Sequence, residues 1–406
     1  MIRADFVLRH AGQLATMVPE PDDPLGRLTD AALAARDGLI VWLGKDRDLE
    51  AAVRLDGDLL DAQGACVIPG LVDAHTHPVF AGDRADEFAE RVAGVPYASQ
   101  QSEGRGIQRT VRATRGADEA TLLELAMARA DRFLAHGTTT IEAKSGYGLN
   151  PERERTSLLV LRQLAARTSL RVVPTFLGAH VVPDGIEREA YLRSLLDDML
   201  PNFAGLASFC DAWCEAPAFT AEEVRQVLTR ARALGYQLRV HAAQLAEGEG
   251  PEIAAELGAA SADHLEYVTR PQIDALVRAG TVGVLCPAAN FTVPQSRRPP
   301  IEAMREAGLP LAIASDLNPG TANSESLTFA MSVACADWGM TPTEVLQGAT
   351  RQAARSLRLE RAGVLRRGSL ADCAVFDVER PEAIPYYVGV NRVRATVVRG
   401  RVWANS

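Results

Sequence analysis

The middle of the chain alternates short apolar runs with longer amphipathic ones. Eight short runs are rich in β-branched residues, and several end in polar or small residues; they span 70–77, 137–148, 171–182, 207–215, 236–244, 259–267, 281–290 and 309–320. Helical patterns lie between most of them, such as DEATLLELAMARADRFLAHG, TAEEVRQVLTRARALG and RPQIDALVRAG. Strand–helix alternation predicts a parallel sheet, and eight units favour a closed (β/α)8 TIM-like barrel over an open sheet.

The two ends of the chain have a different pattern. Short alternating strands with glycine turns are indicated for DGLIVWLG (37–44), GSLADCAVFDVE (368–379) and VRATVVRGRVW (393–403), without a helix between the last two. We therefore predict an α/β protein in which residues 1–66 and 358–406 form a small β-sandwich domain. The barrel, residues 67–357, is inserted between these two segments.

Composition and charge narrow the class of protein. The 406 residues are 47% hydrophobic and 23% charged, with a net charge of -9, which is ordinary for a globular enzyme and gives no basic footprint for nucleic acid. No apolar run approaches the roughly 18 residues of a membrane helix. The N-terminus lacks a signal-peptide core. The six cysteines do not suggest a disulfide framework, and we expect Cys210 and Cys214 to pack. We therefore expect a cytoplasmic protein that binds neither nucleic acid nor membrane.

The carboxyl ends of the predicted barrel strands carry most of the chemically active side chains. In such a barrel the active site lies at this end. Five of the seven histidines fall there, in a set made up of His75, His77, Lys144, Tyr147, His180, His241, Gln244, His264, Asn290 and Asp316.

The spacing of His75 and His77 is the first sign of a metal site. Side chains two residues apart on an extended strand point to the same side, so both rings face one point. A hydrolytic metal site uses imidazole and carboxylate ligands and keeps a position for water. His241 and Asp316 can complete such a set, and Asp316 can take the proton of the water. The alternative is a set of hydrogen-bonded histidines in turns.

Motifs around these residues resemble a known group. PGLVDAHTHPVF, a strand-end histidine and a late SD resemble the amidohydrolase superfamily of metal-dependent hydrolases. More specific similarity, to the imidazolonepropionase family, lies in AGDRADEF (81–88), TVRATR (110–115), EAKSGYGL (142–149), FLGAHVVP (176–183), SADHLEY (261–267) and DLNPGT (316–321). The resemblance spans about 67–350, with weaker similarity in the β-domain.

The resemblance implies a reaction and assigns residues to it. The family opens the lactam ring of 4-imidazolone-5-propanoate to give N-formimidoyl-L-glutamate in histidine degradation. It implies one divalent or trivalent ion per chain, zinc or iron, on His75, His77, His241 and Asp316. Substrate contacts are implied for Arg84, Tyr147, His180, Gln244 and Thr321, and product contacts for Asn318 and Gly320. Asp316 is the expected proton shuttle, with His264 or His180 assisting. We also expect a homodimer.

Two charged candidates have structural alternatives. Arg84 suits the substrate propionate as a guanidinium clamp, but it could instead form a loop salt bridge with Asp83 or Asp86. For Lys144 we predict the structural role, pairing with Glu142 or a neighbouring strand, because nothing demands a modified lysine that bridges two metals.

Three ring-bearing candidates have alternatives as well. Tyr147 could be a turn aromatic, although its flanking glycines also allow a backbone to approach a ligand. His180 could be a hydrogen-bonded core histidine. His264 could form a surface ion pair with Asp263 or Glu266.

Two departures from the family pattern and two rival functions remain open. Many relatives have glutamate where this chain has Gln244, and glutamine cannot donate a catalytic proton. Arg105, in the loop 101–111, replaces an expected glycine.

The nearest rival is a heterocycle deaminase of the same superfamily, which typically needs that glutamate. A non-catalytic amidohydrolase-like scaffold is the other, and it should lack a metal ligand.

Overall fold

The computed structural model describes residues 1–96, 99–100, 104–216, 218–293 and 297–404. The chain begins with five strands of one sheet: β1 (Ile2–Ala15), β2 (Arg27–Arg36), β3 (Leu39–Lys45), β4 (Val53–Asp61) and β5 (Cys66–Pro69). Strand β1 is central, because it pairs antiparallel with β2 along its length and parallel with β4 and then β5. A bulge interrupts β1 between Leu8 and Ala11, where His10 has a φ of 55°.

The eight predicted barrel strands are all present and lie side by side in chain order. They are β6 (Leu71–Asp73), β7 (Thr138–Lys144), β8 (Arg171–Ala179), β9 (Phe209–Cys214), β10 (Gln237–Ala242), β11 (Ser261–His264), β12 (Val282–Leu285) and β13 (Leu311–Ile313). All neighbouring pairs are parallel. The segments that follow the first and last strands meet, because His77 N donates to Leu317 O at 2.8 Å and Asp316 N donates to His75 O at 3.1 Å. The sheet therefore curves into a nearly closed barrel.

Helices follow the barrel strands, and the three quoted helical patterns are confirmed. Asp118 caps one of them by accepting from Thr121 N, and Thr220 forms a capping box with Glu223 in another. The α-helices are α1 (Leu49–Ala52), α2 (Ala85–Val92), α3 (Ile107–Gly116), α4 (Glu119–Ala135), α5 (Pro151–Arg167), α6 (Arg188–Ser194), α7 (Leu200–Phe203), α8 (Ala221–Ala233), α9 (Gly250–Glu256), α10 (Arg270–Ala279), α11 (Pro287–Phe291), α12 (Ile301–Ala307), α13 (Leu327–Trp338), α14 (Pro342–Gln347) and α15 (Ala353–Ser356). Single π turns span Leu195–Met199 and Gly348–Gln352, and short 3-10 helices span Asp46–Asp48 and Pro381–Ala383.

The C-terminal strands complete the first sheet. They are β14 (Cys373–Phe376), β15 (Val393–Val398) and β16 (Arg401–Val402), and β14 pairs antiparallel with β5. The order β16-β15-β14-β5-β1-β2-β3, with β4 on β1, is one connected sheet with apolar clusters of its own. The predicted β-domain from both termini thus exists, and its strands are joined in one hydrogen-bonded sheet. It is connected because β1 is long enough to pair with β4 and β5 in turn.

Three details differ from the sequence prediction. Strand β5 belongs to the sheet of the termini, so the chain passes from that sheet to the barrel at Gly70 rather than at residue 67. The 3-10 helix Pro381–Ala383 lies between β14 and β15, where no helix was predicted; its proline occupies the first turn. Strands β1, β2 and β4 were missed, because charged residues interrupt their apolar alternation. None of the helices in the described chain is both long enough and apolar enough to cross a membrane.

The sheet of the termini packs closely against the barrel at Gly137. This residue joins α4 to β7 with a φ of 82°, and a Cβ there would lie 3.2 Å from both Ala374 Cβ and Val393 Cγ2. Nearby, Thr396 Oγ1 donates to Leu134 O at 2.7 Å. A glycine is therefore required both by the backbone angle and by the neighbouring sheet.

We expect Gly137→Ala to destabilise the protein more than Gly235→Ala. Gly235 has a similar φ of 90°, but a Cβ there would meet nothing within 4 Å. Gly235→Ala should cost about 1–2 kcal/mol through the left-handed backbone alone, and Gly137→Ala about 1–3 kcal/mol more through overpacking. Thermal unfolding of the two variants measures the difference. Equal losses would show that the two sheets do not constrain each other here.

Candidate active site

The carboxyl ends of the barrel strands surround a small cavity. Its described lining contains His77, Arg84, Ile107, Tyr147, His180, Trp213, His241, Gln244, His264, Asp316, Asn318 and Thr321. All the site residues predicted from sequence are in this set except His75, which is fully buried beside it, and Gly320. A larger hollow beside α13 and the segment 377–394 has no histidine in its described lining and offers no comparable chemistry.

Four side chains bring possible metal-ligand atoms together. Nε2 of His77 lies 3.3 Å from Nε2 of His75. Asp316 Oδ1 lies 3.4 Å from Nε2 of His75 and 3.6 Å from Nε2 of His77. The ring of His241 lies 4.4 Å from the ring of His75, centroid to centroid, and one nitrogen from each of the three histidines falls within 4.8 Å of the others. Three imidazoles and one carboxylate are a donor set that suits a hydrolytic metal ion.

Two buried aspartates orient the histidines. Nδ1 of His75 lies 2.7 Å from Asp263 Oδ2 and donates to it, and Nδ1 of His241 lies 3.0 Å from Asp211 Oδ2. With Nδ1 turned to a carboxylate, Nε2 of each ring is free to face the cavity. These two aspartates were not predicted from the sequence as site residues. Asp263 was considered only as a surface partner of His264.

The aspartates are themselves held by buried cations inside the barrel. Nζ of Lys144 lies 2.9 Å from Glu142 Oε1 and 2.7 Å from Asp211 Oδ2, which confirms the structural role predicted for this lysine. Arg239 Nη2 donates to Asp263 Oδ2 at 2.9 Å. All these side chains are fully buried. The barrel interior below the site is therefore a network of ion pairs.

Burial determines the protonation of the site. It lowers the pKa of His75 and His77 well below the usual value and that of His180 to about 3. It also raises the pKa of Asp316 well above its usual value. The imidazoles of His75, His77 and His180 are therefore neutral, which is the form in which His75 and His77 could bind a metal, and a cation beside Asp316 would offset the cost of burying its carboxylate.

A second group of possible ligands, His75, His264 and Cys286, fits a metal less well. Burial raises the pKa of the Cys286 thiol, which disfavours the thiolate that a metal needs. His75 also presents only one free nitrogen, since its Nδ1 is bound to Asp263.

Arg84 lines the cavity and is held by one carboxylate. Its Nε donates to Glu87 Oε2 at 2.7 Å, and the other Glu87 oxygen accepts from Gly106 N at 3.1 Å. The alternative salt bridge to Asp86 is not formed, because Asp86 pairs with Arg109 at 2.6 Å. The side chain of Arg84 is thus both ion-paired and presented to the cavity.

His180 and Tyr147 form one wall. His180 Nδ1 must donate to the carbonyl oxygen of Gly146, 2.9 Å away, because a carbonyl only accepts. Nε2 of the neutral ring is then an acceptor. The His180 ring stacks on His77 at 5.3 Å and 21°, and the Tyr147 ring lies 5.3 Å from it. His180 is therefore placed to receive a substrate N–H rather than to donate a proton.

Gln244 lies in the turn after β10, and His264 is the last residue of β11. The Gln244 backbone N–H donates to Glu215 Oε1 at 2.6 Å, which holds the turn while its side chain lines the cavity. His264 is buried and has a φ of 81°, a strained value for a residue with a side chain. Its Nδ1 lies 4.0 Å from Glu266 Oε1. The alternative of a surface ion pair for His264 is therefore wrong.

The loop after β13 is cross-linked by Asn318. Its Oδ1 accepts from Gly320 N and Thr321 N at 2.8 Å each, and its Nδ2 donates to Asp316 O at 2.7 Å. A side chain at Gly320 would collide with the guanidinium of Arg84. Gly320 therefore lets Arg84 approach the loop. Contacts of Asn318 and Gly320 with product remain predictions.

Arg105 departs from the expected glycine without disturbing the cavity. Its guanidinium pairs with Glu90 near the surface, and neither side chain lines the cavity. Residues 101–103 of the same loop lie outside the described residues.

Two lining residues were missed from the sequence, Ile107 and Trp213. Trp213 alternates with Phe209 and Asp211 on β9, so a period of two could have placed it inside the barrel. The neighbouring Cys210 and Cys214 are the more conspicuous residues of this strand in the sequence. Both are buried and free, as expected of packing cysteines.

The amino-acid sequence matches known proteins over nearly its full length. The amidohydrolase family model matches residues 66–403. An imidazolonepropionase of Xanthomonas campestris pv. campestris (strain 8004) is 44% identical over 397 residues, covering 97% of this chain and 98% of that protein. One of Ralstonia nicotianae is 42% identical over 404 residues, covering 98% of both chains.

Solved structures share the fold. An adenosine deaminase from Xanthomonas campestris with bound zinc superposes with a TM-score of 0.75 at 17% identity, covering 99% of this chain and 93% of that one. A zinc complex of atrazine chlorohydrolase from Arthrobacter aurescens TC1 gives a TM-score of 0.72 at 18% identity, covering 98% and 94%. At these identities the likeness shows the architecture alone.

We expect Asp263→Asn to lower the affinity of the site for zinc by about 10–100-fold, because Asp263 orients His75. Glu142→Gln is the matched control: it also removes a buried negative charge beside Lys144, but the other oxygen of Glu142 accepts from the backbone N–H of Thr76 rather than from a histidine ring. Competition with a chromophoric chelator measures both affinities. Equal losses would mean that the charge near Lys144 matters and the contact with His75 does not.

Proposed function

This chain belongs to the imidazolonepropionase family of amidohydrolases, and we propose that it hydrolyses the lactam C–N bond of 4-imidazolone-5-propanoate to N-formimidoyl-L-glutamate. The observation that carries the proposal is the convergence of three histidines and Asp316 on one side of a cavity that Arg84 also lines. This arrangement offers a site for water activation together with a guanidinium for the propionate.

We propose one metal ion per chain, zinc or iron, on His75, His77, His241 and Asp316. Supporting this set, the Nε2 atoms of His75 and His77 face each other at 3.3 Å in neutral rings, an arrangement that a shared cation stabilises. Bound there, such an ion acts as a Lewis acid and lowers the pKa of a water molecule towards neutrality. We further take the fold to be a full (β/α)8 barrel of the TIM type.

The proton path runs through the chain's own carboxylate. Asp316 takes a proton from the attacking water and passes it to the ring nitrogen that leaves when the lactam bond breaks. His264, buried 5.3 Å from the ring of His241, orients the water or stabilises the oxyanion. His180 is a poor donor because its proton is on Nδ1, and it instead accepts from the substrate ring through Nε2. Gln244 orients the ring but has no proton to give.

The propionate is assigned to Arg84. A guanidinium forms paired, charge-assisted hydrogen bonds with a carboxylate, and Glu87 fixes its direction from behind. Tyr147 and Thr321 complete the substrate contacts. Asn318 and Gly320, whose loop abuts Arg84, contact the product.

The rival functions fit less well. A heterocycle deaminase of this superfamily is expected to use a glutamate at position 244 to protonate its ring, and this chain has glutamine. The deaminase among the structural neighbours shares the fold at 17% identity, whereas the imidazolonepropionases are 42–44% identical. A non-catalytic scaffold would not keep four converging ligands.

Location and assembly are proposed separately. We propose a cytoplasmic enzyme, supported by six free cysteines, which persist in reducing compartments. We also propose a homodimer. An exposed apolar segment that includes Tyr386, Val388 and Val390 supports association, because such surface is usually covered.

The direct test uses metal-loaded protein and enzymatically generated 4-imidazolone-5-propanoate. Its ultraviolet absorbance should fall faster than the spontaneous rate, with N-formimidoyl-L-glutamate identified by mass. Asp316→Asn should nearly abolish the reaction, even in protein that retains metal. If the substrate decays only at the spontaneous rate while adenosine, guanine or cytosine releases ammonia, the deaminase reading is correct.

We expect Arg84→Met to raise KM about 10–100-fold with little change in kcat, because the propionate contact is present in both the ground state and the transition state. Arg109→Met is the control: Arg109 is a partly exposed neighbour that pairs with Asp86, and its loss should leave KM unchanged. Steady-state kinetics separates the two. A large drop in kcat at constant KM would contradict the role of Arg84 as a carboxylate clamp.

A further inference from the structure

Trp213 occupies the cavity wall beside the metal-ligand histidines. It lies on β9 directly opposite His241 of β10 and on the same strand face as Asp211, which contacts Lys144 inside the barrel. The side chain is 6% exposed, lines the cavity, and its ring lies 5.8 Å from the ring of His180.

The indole N–H of Trp213 lacks a hydrogen-bond partner among the described residues. A buried donor without an acceptor is costly, because it has lost its water and gained nothing in return. In a cavity wall, the missing acceptor can be an atom of the ligand. The indole also gives a flat apolar surface, which suits a flat five-membered ring.

We propose that Trp213 is a substrate-binding residue whose Nε1–H donates to the unprotonated nitrogen of the imidazolone ring. The assignment rests on the proposed function. The ring, rather than the propionate, is the partner, because Trp213 adjoins His241, where the reacting carbonyl must lie. Arg84, which takes the propionate, follows β6, three strands away around the barrel.

Trp213 and His180 would bind complementary hydrogen-bonding groups of the ring. His180 presents an acceptor at Nε2, since its Nδ1 donates to Gly146 O at 2.9 Å, whereas Trp213 presents a donor. A ring with both an N–H and an acceptor satisfies the two residues at once. An all-carbon ring satisfies neither, so the pair selects nitrogen heterocycles of the lactam type.

The kinetic test is Trp213→Phe, which keeps an aromatic wall and removes the N–H. The control is Trp338→Phe on α13, because Trp338 is also buried, at 7% exposure, and its N–H also lacks a partner within the described chain, but it is not in the cavity lining. Trp213→Phe should raise KM roughly three- to tenfold with kcat nearly unchanged, the effect of one neutral hydrogen bond. Trp338→Phe should leave KM unchanged.

Calorimetry with two probes separates the hydrogen bond from packing. On metal-loaded protein, imidazole-4-propanoate should bind Trp213→Phe roughly three- to tenfold more weakly than the parent chain. The probe 3-cyclopentylpropanoate, which keeps the carboxylate but has no ring acceptor, should bind both proteins equally weakly. Equal losses for both probes, no loss for either, or no binding of imidazole-4-propanoate to the parent chain would each overturn the proposal. These titrations need no turnover, so a failure of the proposed hydrolysis is seen separately in the absorbance assay.

Discussion

The ion pairs buried inside the barrel are the constraint on which the whole site depends. Arg239 holds Asp263, which in turn orients His75, and Lys144 holds Asp211 beside a second ligand histidine. A carboxylate buried without its cation would be protonated or would distort the strand that carries it. An apolar barrel interior would pack as well, but it could not fix the direction of an imidazole ring. The charged interior therefore serves the site at the strand ends.

The cavity has two parts with different tasks. One side, made by strand ends, brings together the proposed metal ligands His75, His77, His241 and Asp316. The other side is built from loops, and a polar side chain holds each loop by hydrogen bonds. Glu87 accepts from Arg84, Asn318 accepts from Thr321 N in the loop after β13, and Glu215 accepts from Gln244 N. These hydrogen bonds hold the proposed substrate-binding side chains in place before substrate binds, which lowers the entropy cost of binding.

The sequence predicted the residues that carry local signals. His75 and His77 follow an apolar run at a spacing of two, and each barrel strand is a short apolar segment next to a helical pattern, so both could be read without any tertiary information. The roles of Asp211 and Asp263 could not be read in this way, because a carboxylate's partner depends on the register between strands. The connection of the terminal strands into one sheet could not be predicted for a similar reason, since it depends on β1 pairing with both β4 and β5. The position of Trp213 inside the barrel, by contrast, could have been predicted from the alternation of side chains along β9.

A metal titration tests whether the converged histidines hold one ion that makes this cavity hydrolytic. Protein stripped with a chelator should be inactive towards 4-imidazolone-5-propanoate. On stepwise addition of zinc or iron, activity should rise linearly and break at about one equivalent per chain. Full activity in the stripped protein would show that hydrolysis needs no ion. A break at about two equivalents would contradict a single-ion site.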